Sequence, residues 1–238
     1  MPISFRIRLW PLIVAALLIS LGISLGQWQT RRAVEKENYA SQIEQRAQLS
    51  VLALRDDTAP QAVTAFRRLL VRGQFVSGWP LYLDNRPLRG KAGFYVLMPL
   101  RIEGSSKHVL VARGWQARDP QQRTRLPALV TPSASLALEG IARQQLDRVM
   151  QLGQADSVQP GGIIQNLDLD SLSKASGLQF YPFIVEQTSD LADGLQRDWP
   201  MPSSGADKHR AYAFQWYALA AMALLFFVVT GFRRGKHR

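Results

Sequence analysis

Cysteine is absent from all 238 residues of the chain. This absence excludes disulfide bonds, thiolate metal sites, covalent c-type haem attachment, cysteine nucleophiles and copper carriers that use paired thiols. The sequence also lacks a P-loop, a GxGxxG turn and an HExxH helix. It therefore carries none of the short motifs that mark phosphate-binding loops, dinucleotide-binding folds or zinc proteases.

Cations are in excess, but their arrangement is not typical of a nucleic-acid-binding protein. The formal net charge is +11. Several of the cations lie near the two chain ends, and those in the middle alternate with acidic residues. We therefore expect no nucleic-acid partner, and we expect the terminal cations to lie beside membrane lipid.

Two long stretches without a charged side chain occupy residues 9–26 and 211–232. As helices, both are long enough to cross the hydrocarbon core of a bilayer. Arg6 and Arg8 precede the first stretch and a basic tail follows the second, which places both ends in the cytoplasm. The prediction is a cytoplasmic segment at 1–8, spans at 9–26 and 211–232, a periplasmic domain at 27–210 and a cytoplasmic tail at 233–238. A signal peptide cleaved near residues 24–26 is the alternative for the first stretch, but its apolar length favours an uncleaved span.

The first predicted span contains Gly22 and Gly26, which are four residues apart and share one helical face. This small-xxx-small spacing lets helices approach closely. Ala218 and Ala221 offer small partners on the second span. We therefore predict that the two spans pack together and bring the ends of the outer domain close to each other.

The middle of the chain reads as an α+β domain. The first helix is predicted to continue to about Gln48, because this stretch is free of glycine and proline. Strands are predicted where β-branched and aromatic residues lie between turn signals, at 66–76, 80–85, 93–102, 108–115, 136–142 and 182–187. A short helix at 168–176 has Asp168 as its cap and Gly177 after its end. The predicted fold is an antiparallel sheet or small barrel connected by sequential hairpins, without parallel crossovers.

The chain has three histidines. His237 lies in the basic tail, and His108 is expected to be solvated at the start of a strand. His209 comes just before the second span, and Tyr212 and Trp216 follow on its helical face. An imidazole on an aromatic face near the bilayer suits axial ligation of a haem iron. An interfacial polar residue without a ligand is the alternative.

Trp28, Arg32 and Lys36 recur every four residues on the helix that leaves the first span. They form one stripe at the membrane surface where His209 is also expected. Two cations beside an indole can hold the propionates of a haem. Ordinary interfacial anchoring is the alternative.

Two short patterns resemble hydrolase motifs. The GxSxG pattern at 22–26 needs a strand-to-helix turn, but it lies inside a predicted span, so we interpret it as coincidence. The SxxK pattern formed by Ser171 and Lys174 lies on a short helix, and the partner motifs of penicillin-binding proteins are missing. A hydrolase that uses Ser171 and Lys174 remains one hypothesis.

Five segments in chain order carry a family resemblance. They are LGQWQTRR at 25–32 followed by Lys36, GQF at 73–75, GFYVLMPL at 93–100, RGW at 113–115 and HRAYAFQWYALA at 209–220. The ordered set resembles the signature of the surfeit-one (Shy-one) family of cytochrome oxidase assembly proteins. The chain departs from that signature at Arg210, where the family has an apolar residue.

The resemblance implies a membrane protein that is not an enzyme and that supplies haem a to subunit I of a cytochrome oxidase. It implies haem binding at His209. Our hypothesis for the rest of the site is that Tyr212 and Trp216 line the macrocycle and that Arg32 and Lys36 pair with the propionates. The implied partners are oxidase subunit I and, as a further candidate, haem a synthase. The implied location is a bacterial inner membrane, and the 113–115 segment is expected to be a structural turn. A haem-free scaffold that holds assembly intermediates is the alternative function.

Overall fold

The computed structural model describes residues 3–5, 8–122, 125–126, 128–150, 157–200 and 205–234. The helices are α1 Leu9–Gln48, α2 Leu169–Ser176 and α3 Ala206–Gly231. The strands are β1 Ile3–Phe5, β2 Leu52–Leu54, β3 Arg68–Phe75, β4 Leu81–Leu83, β5 Gly93–Ile102, β6 His108–Ala117, β7 Leu136–Arg143, β8 Ile163–Ile164, β9 Phe180–Gln187 and β10 Phe232–Arg234. The predicted cytoplasmic segment and basic tail lie largely outside the described residues, apart from the backbone of the β1–β10 ribbon.

The chain forms two compact units. One consists of Met1–Gln42 with Pro202–Arg238, and the other consists of Ile43–Met201. The first unit is an antiparallel pair made of α3 and the larger part of α1, and β1 and β10 pair antiparallel at the chain ends. The predicted spans at 9–26 and 211–232 fall inside α1 and α3 and its following residue.

The outer surfaces of α1 and α3 are apolar and exposed. Trp10, Phe214 and Phe226 are 76%, 74% and 71% exposed. A soluble monomer rarely exposes a continuous apolar patch of this size, because water penalises it. Both helices are also long and apolar enough to cross a membrane. These features support membrane association of the helix pair.

The two helices pack through the glycines of α1. A Cβ atom on Gly22 would lie 2.9 Å from the Cβ of Ala220 and 2.9 Å from the carbonyl oxygen of Trp216. A Cβ atom on Gly26 would lie 2.5 Å from the ring of Tyr217. The predicted close packing is therefore present, but its partners on α3 are Tyr217 and Ala220, not Ala218 and Ala221.

Gly22→Leu is expected to force α1 and α3 apart, because even a Cβ atom at this position overlaps backbone and side-chain atoms of α3. The chain has no cysteine, so spin labels can be attached at introduced Leu21→Cys and Leu219→Cys. We expect the label-to-label distance to grow by about 1–2 Å, a clear fraction of a helix–helix spacing. Ser24→Leu, at an exposed position of α1, is the control and should leave the distance unchanged. Equal distances in all three proteins would contradict the prediction.

The second unit is built around a five-stranded barrel. Neighbouring strands follow the order β3, β7, β9, β6, β5 and return to β3. Strand β2 lies parallel on β3, and β4 with β8 extends the sheet beyond β5. The α+β class and the barrel are as predicted. The sheet is mixed, however, because β6 and β9 pair in parallel across a long crossover, which the sequence analysis had excluded.

Alternation along the strands sorts the apolar side chains between two faces. Inward residues such as Leu69, Val111 and Val185 form the barrel core, and outward residues such as Leu97 and Leu110 pack beneath α2. Helix α2 has the predicted ends. The Asp168 carboxylate accepts a hydrogen bond from the backbone N–H of Ser171, and Gly177 adopts the left-handed conformation at the C-terminus.

A largely buried cluster of charged side chains lies on the inner side of the barrel wall. The Arg113 guanidinium donates to the Asp193 carboxylate at 2.8 Å, and Arg197 donates to the same carboxylate at 2.7 Å. Burial raises the pKa of Asp193, but hydrogen bonds from Arg197 and Arg113 outweigh it and hold that pKa below its usual value.

Two predictions for strand β6 are wrong. The segment at 113–115 is not a turn, because all three residues lie inside this strand. His108, expected to be solvated, is also buried at the start of that strand.

Asp193→Ala is expected to lower the free energy of unfolding by about 3–5 kcal/mol, because it leaves the Arg113 guanidinium buried without its partner. Urea unfolding of the full chain in detergent, followed by near-ultraviolet circular dichroism, measures the change. Asp198→Ala is the matched control, since Asp198 forms an ion pair with Arg89 at the surface and little change is expected. A similar loss in both variants would contradict the assignment.

Glu186 makes the barrel unit sensitive to pH. Burial raises the pKa of Glu186 to about 7, and the nearby Arg143 guanidinium opposes this only in part. The Arg143 Nη1 atom lies 3.4 Å from Oε2 of Glu186. The folded-state pKa lies above the unfolded value, so the protonated carboxyl stabilises the fold below the unfolded pKa. That stability is lost as the pH rises through about 7.

We expect the free energy of unfolding of the wild type to fall by about 2–3 kcal/mol from this group between about pH 5 and about pH 8. Glu186→Gln should lose this part of the pH dependence, because it has no proton to release. Urea unfolding at several pH values measures it, with Glu139→Gln as the control at a surface ion pair. Identical slopes for the wild type and Glu186→Gln would show that Glu186 is ionised throughout.

Candidate functional site

His209 lies in the first turn of α3 and is half-buried against α1. Its Nδ1 atom is 2.7 Å from Oε1 of Gln29. An amide oxygen can only accept a hydrogen bond, so Nδ1 carries the ring proton and donates it. No described residue forms a hydrogen bond with Nε2 of His209. The imidazole therefore keeps one nitrogen lone pair free for a ligand.

The seam between α1 and α3 is built from residues at alternating spacings of three and four. On α1 it includes Gly22, Gly26, Gln29 and the fully buried Ala33. On α3 it includes His209, Ala213, Trp216 and Ala220. These spacings keep one face of each helix turned to its partner. His209 and Trp216 thus share the seam face of α3, as the sequence analysis predicted.

One side of the seam is held by polar contacts between the helices. The Arg210 side chain pairs with Glu37 through two bonds of 2.8 and 2.9 Å. About two turns further along the pair, the hydroxyl groups of Thr30 and Tyr217 lie 3.4 Å apart. Arg210 is the residue that departs from the family pattern, and Glu37 explains how its charge is accommodated at this position.

The other side of the seam carries the predicted aromatic and basic stripe. The helical period of about 100° per residue directs Trp28, Arg32 and Lys36 away from the Glu37 side, and it directs Tyr212 of α3 toward the same side as the stripe. Tyr212 is 53% exposed and Trp28 is 45% exposed. These side chains border an open flank next to His209 that belongs to both helices.

The structure does not bring Arg32 or Lys36 into contact with His209. The Arg32 guanidinium donates to the Glu35 carboxylate at 2.9 Å, and Lys36 is exposed to solvent. The residue that does contact His209 is Gln29, which the sequence analysis did not select. Its spacing from Gly26 was the available signal, because a polar residue three positions along a packing face must meet a group on the partner helix.

The donor set around His209 suits a haem better than a bare metal ion. Within the described ranges, no group of three or more His, Cys, Asp or Glu side chains could hold a metal. A porphyrin supplies four of the iron ligands itself, so a single imidazole is enough to anchor it. The close contacts of Gly22 and Gly26 leave no space between the helices. A macrocycle bound through Nε2 would therefore have to occupy the open flank.

The hydrolase hypothesis gains no support from the geometry. Ser24 of the GxSxG pattern lies inside α1, not at a strand-to-helix turn. The Ser171 hydroxyl donates to the Asp168 carboxylate at 3.0 Å as part of the helix cap. Among the described contacts, none joins Ser171 to Lys174, so the hydroxyl has no lysine base at hydrogen-bond distance.

Comparisons with known proteins cover nearly the whole chain. The model of the SURF1 family matches residues 16–221. A SURF1-like protein of Rickettsia bellii is 25% identical over 219 residues, which cover 86% of this chain and 84% of the relative. A SURF1-like protein of Rickettsia felis is 25% identical over 232 residues, which cover 91% of this chain and 95% of the relative. A SURF1-like protein of Dictyostelium discoideum is 24% identical and covers 71% of this chain and 73% of its own length. The family match spans both helices and the barrel, so this chain belongs to the SURF1 family.

Proposed function

We propose that this protein carries haem a during cytochrome oxidase assembly, binds it through His209 and passes it to oxidase subunit I. Membership of the SURF1 family, known as oxidase assembly factors, supports the assembly role. The observation that carries the haem proposal is the state of His209. This half-buried imidazole has Nδ1 bonded to Gln29, and Nε2 is without a partner in the described part of the chain.

In the proposed complex, Nε2 of His209 ligates the iron from the edge of the helix pair. Tyr212 and Trp216 would line the macrocycle, and Trp28 would border it from α1. Arg32 and Lys36 pair with the two propionates, and Arg32 exchanges its present partner Glu35 for a propionate. The haem iron is cargo here, and its redox chemistry is used in the oxidase.

A carrier has to release what it binds, and the proposed site is suited to release. His209 is the one histidine among the described residues of the helix pair, so these residues would offer the iron a single imidazole. The flank is open to its surroundings, because Trp28 and Tyr212 remain about half exposed. Both features favour moderate affinity over permanent binding.

The proposed location is a bacterial inner membrane with both chain ends in the cytoplasm. Apolar exposure on α1 and α3 supports insertion of the helix pair in lipid. Cations at both ends of the sequence favour cytoplasmic ends by the positive-inside rule. His209 then lies near the periplasmic surface, and the barrel unit is the candidate surface for subunit I. Haem a synthase is a candidate donor of the haem.

A haem-free scaffold is the second candidate function. The hydrogen bond between His209 and Gln29 also joins α1 to α3, so it would stabilise the helix pair without any ligand. In that case the residues of the open flank are interfacial anchors. The two functions differ in whether the purified protein contains haem.

We expect the wild-type chain, purified in detergent from cells that make haem a, to show a Soret band that His209→Ala abolishes. The reason is that the substitution removes the only proposed axial ligand. His237→Ala is the matched control and should keep the band. Absorbance together with pyridine haemochrome analysis measures haem type and occupancy. A wild-type protein without haem would refute the carrier and support the scaffold.

The propionate contacts are tested in the same experiment. Arg32→Ala combined with Lys36→Ala should lower haem occupancy and leave the position of the Soret band unchanged, because the axial ligand is intact. Arg31→Ala combined with Arg46→Ala also removes two cations from α1, one from another face and one from the last turn of the helix, and should preserve occupancy. Equal occupancy in both double variants would remove Arg32 and Lys36 from the site.

A further inference from the structure

We infer that Gln29 is a positioning residue that holds His209 in the tautomer with a free Nε2 atom. This inference rests on the proposed function where it concerns haem, but the tautomer itself is a property of the ligand-free protein. The geometry that carries it is the 2.7 Å contact between Nδ1 of His209 and Oε1 of Gln29.

A neutral imidazole has one protonated nitrogen and one nitrogen with a lone pair, and only the second can bind iron. Which nitrogen keeps the lone pair is set by the hydrogen bond that the other nitrogen makes. Gln29 offers an oxygen acceptor to Nδ1, so the proton stays on Nδ1. The lone pair is therefore fixed on Nε2, the nitrogen at the outer end of the ring.

The hydrogen bond between Gln29 and His209 lies in the packed seam between α1 and α3, not on a mobile surface segment. Gln29 lies on the seam face of α1 between Gly26, which packs on Tyr217, and Ala33, which is 1% exposed. The packing of the neighbouring turns of α1 and α3 therefore sets the distance between the two side chains. Groups carried on packed helices hold a defined orientation better than groups on loops.

The group that accepts the hydrogen bond from Nδ1 is a neutral amide, and this affects how firmly His209 would hold a haem iron. A carboxylate behind a metal-binding histidine makes the imidazole more basic and strengthens its bond to the metal. Among the described hydrogen bonds, none joins a carboxylate to His209, and Glu37 and Glu35 pair with Arg210 and Arg32 instead. The acceptor is therefore a neutral amide, which orients the ring without the full increase in basicity. This combination suits a carrier that must give up its haem.

The tautomer is tested by ¹⁵N nuclear magnetic resonance on the full chain, labelled at histidine and free of haem, in detergent. In the wild type we expect Nδ1 of His209 to be protonated and Nε2 to be unprotonated. Gln29→Leu should lose this preference and populate the opposite tautomer, whereas Gln29→Glu should retain it because a carboxylate also accepts from Nδ1. Glu37→Gln is the control for a loosened helix contact and should leave the tautomer unchanged.

Two results of this experiment would overturn the inference. One is a wild-type His209 with the proton on Nε2, as expected if the amide of Gln29 donated to Nδ1. The other is an unchanged tautomer in Gln29→Leu. The retained tautomer in Gln29→Glu guards against misfolding as an explanation, because both variants replace the same side chain with one of similar size.

The haem-loaded protein supplies the second measurement. We expect Gln29→Leu to release haem to apomyoglobin faster by roughly 10-fold to 100-fold, the usual effect of losing the partner behind a metal ligand. Gln29→Glu should release it more slowly and raise the iron–imidazole stretching frequency in resonance Raman spectra. Identical release and frequency in all three proteins would refute the positioning role while leaving the carrier proposal intact. A wild type that takes up no haem would refute the carrier, and the resonance experiment would still decide the tautomer.

Discussion

The contact between the backbones of α1 and α3 at Gly22 and Gly26 sets the geometry of the candidate site. Because neither residue has a Cβ atom, Ala220 and Tyr217 approach the backbone of α1 at distances that a side chain would prevent. The same approach brings Gln29 within 2.7 Å of His209 and Glu37 within 2.8 Å of Arg210. In lipid there is no hydrophobic effect to drive two helices together, so the close packing at the glycines has to supply the association there, and the polar contacts add to it just outside the predicted spans. The glycine contacts and the polar contacts therefore depend on each other, because both require the same short distance between α1 and α3.

The barrel unit contains a buried arginine whose charge is compensated by an ion cluster. Arg113 lies on the inward face of β6 and has no exposure to solvent, which would be strongly unfavourable if it were unpaired. The Asp193 carboxylate, shared with Arg197, compensates it and links strand β6 to the segment that follows β9. Strands β6 and β9 are also the parallel pair of the barrel. The ion cluster thus accompanies the parallel pairing of the barrel, which a hairpin cannot produce.

Sequence patterns predicted the elements that depend on local periodicity. They failed for contacts between residues that are far apart in the sequence. The uncharged stretches, the strands at 93–102 and 136–142 and the ends of α2 were visible because hydrophobic alternation and capping residues are local signals. The parallel pairing of β9 with β6 was missed because it joins residues about 70 positions apart, and no turn motif marks such a contact. His108 was assigned to solvent because it adjoins Lys107, but its strand turns the ring onto Phe180. The role of Gln29 was missed for the same reason as the pairing of β9, because it depends on which residue of α3 lies opposite Gln29.

The position of Gln29 also bears on the choice between carrier and scaffold. A scaffold needs α1 and α3 to stay together, and the ion pair of Glu37 with Arg210 would serve that purpose without a histidine. A purely structural bond uses only Nδ1 of the imidazole. Nε2 makes no hydrogen bond to the described residues and is not among their buried unpartnered atoms, so it contributes nothing to such a bond. The carrier hypothesis assigns a role to this outer nitrogen and the scaffold hypothesis assigns it none, so the two hypotheses differ at the one atom to which the haem would bind.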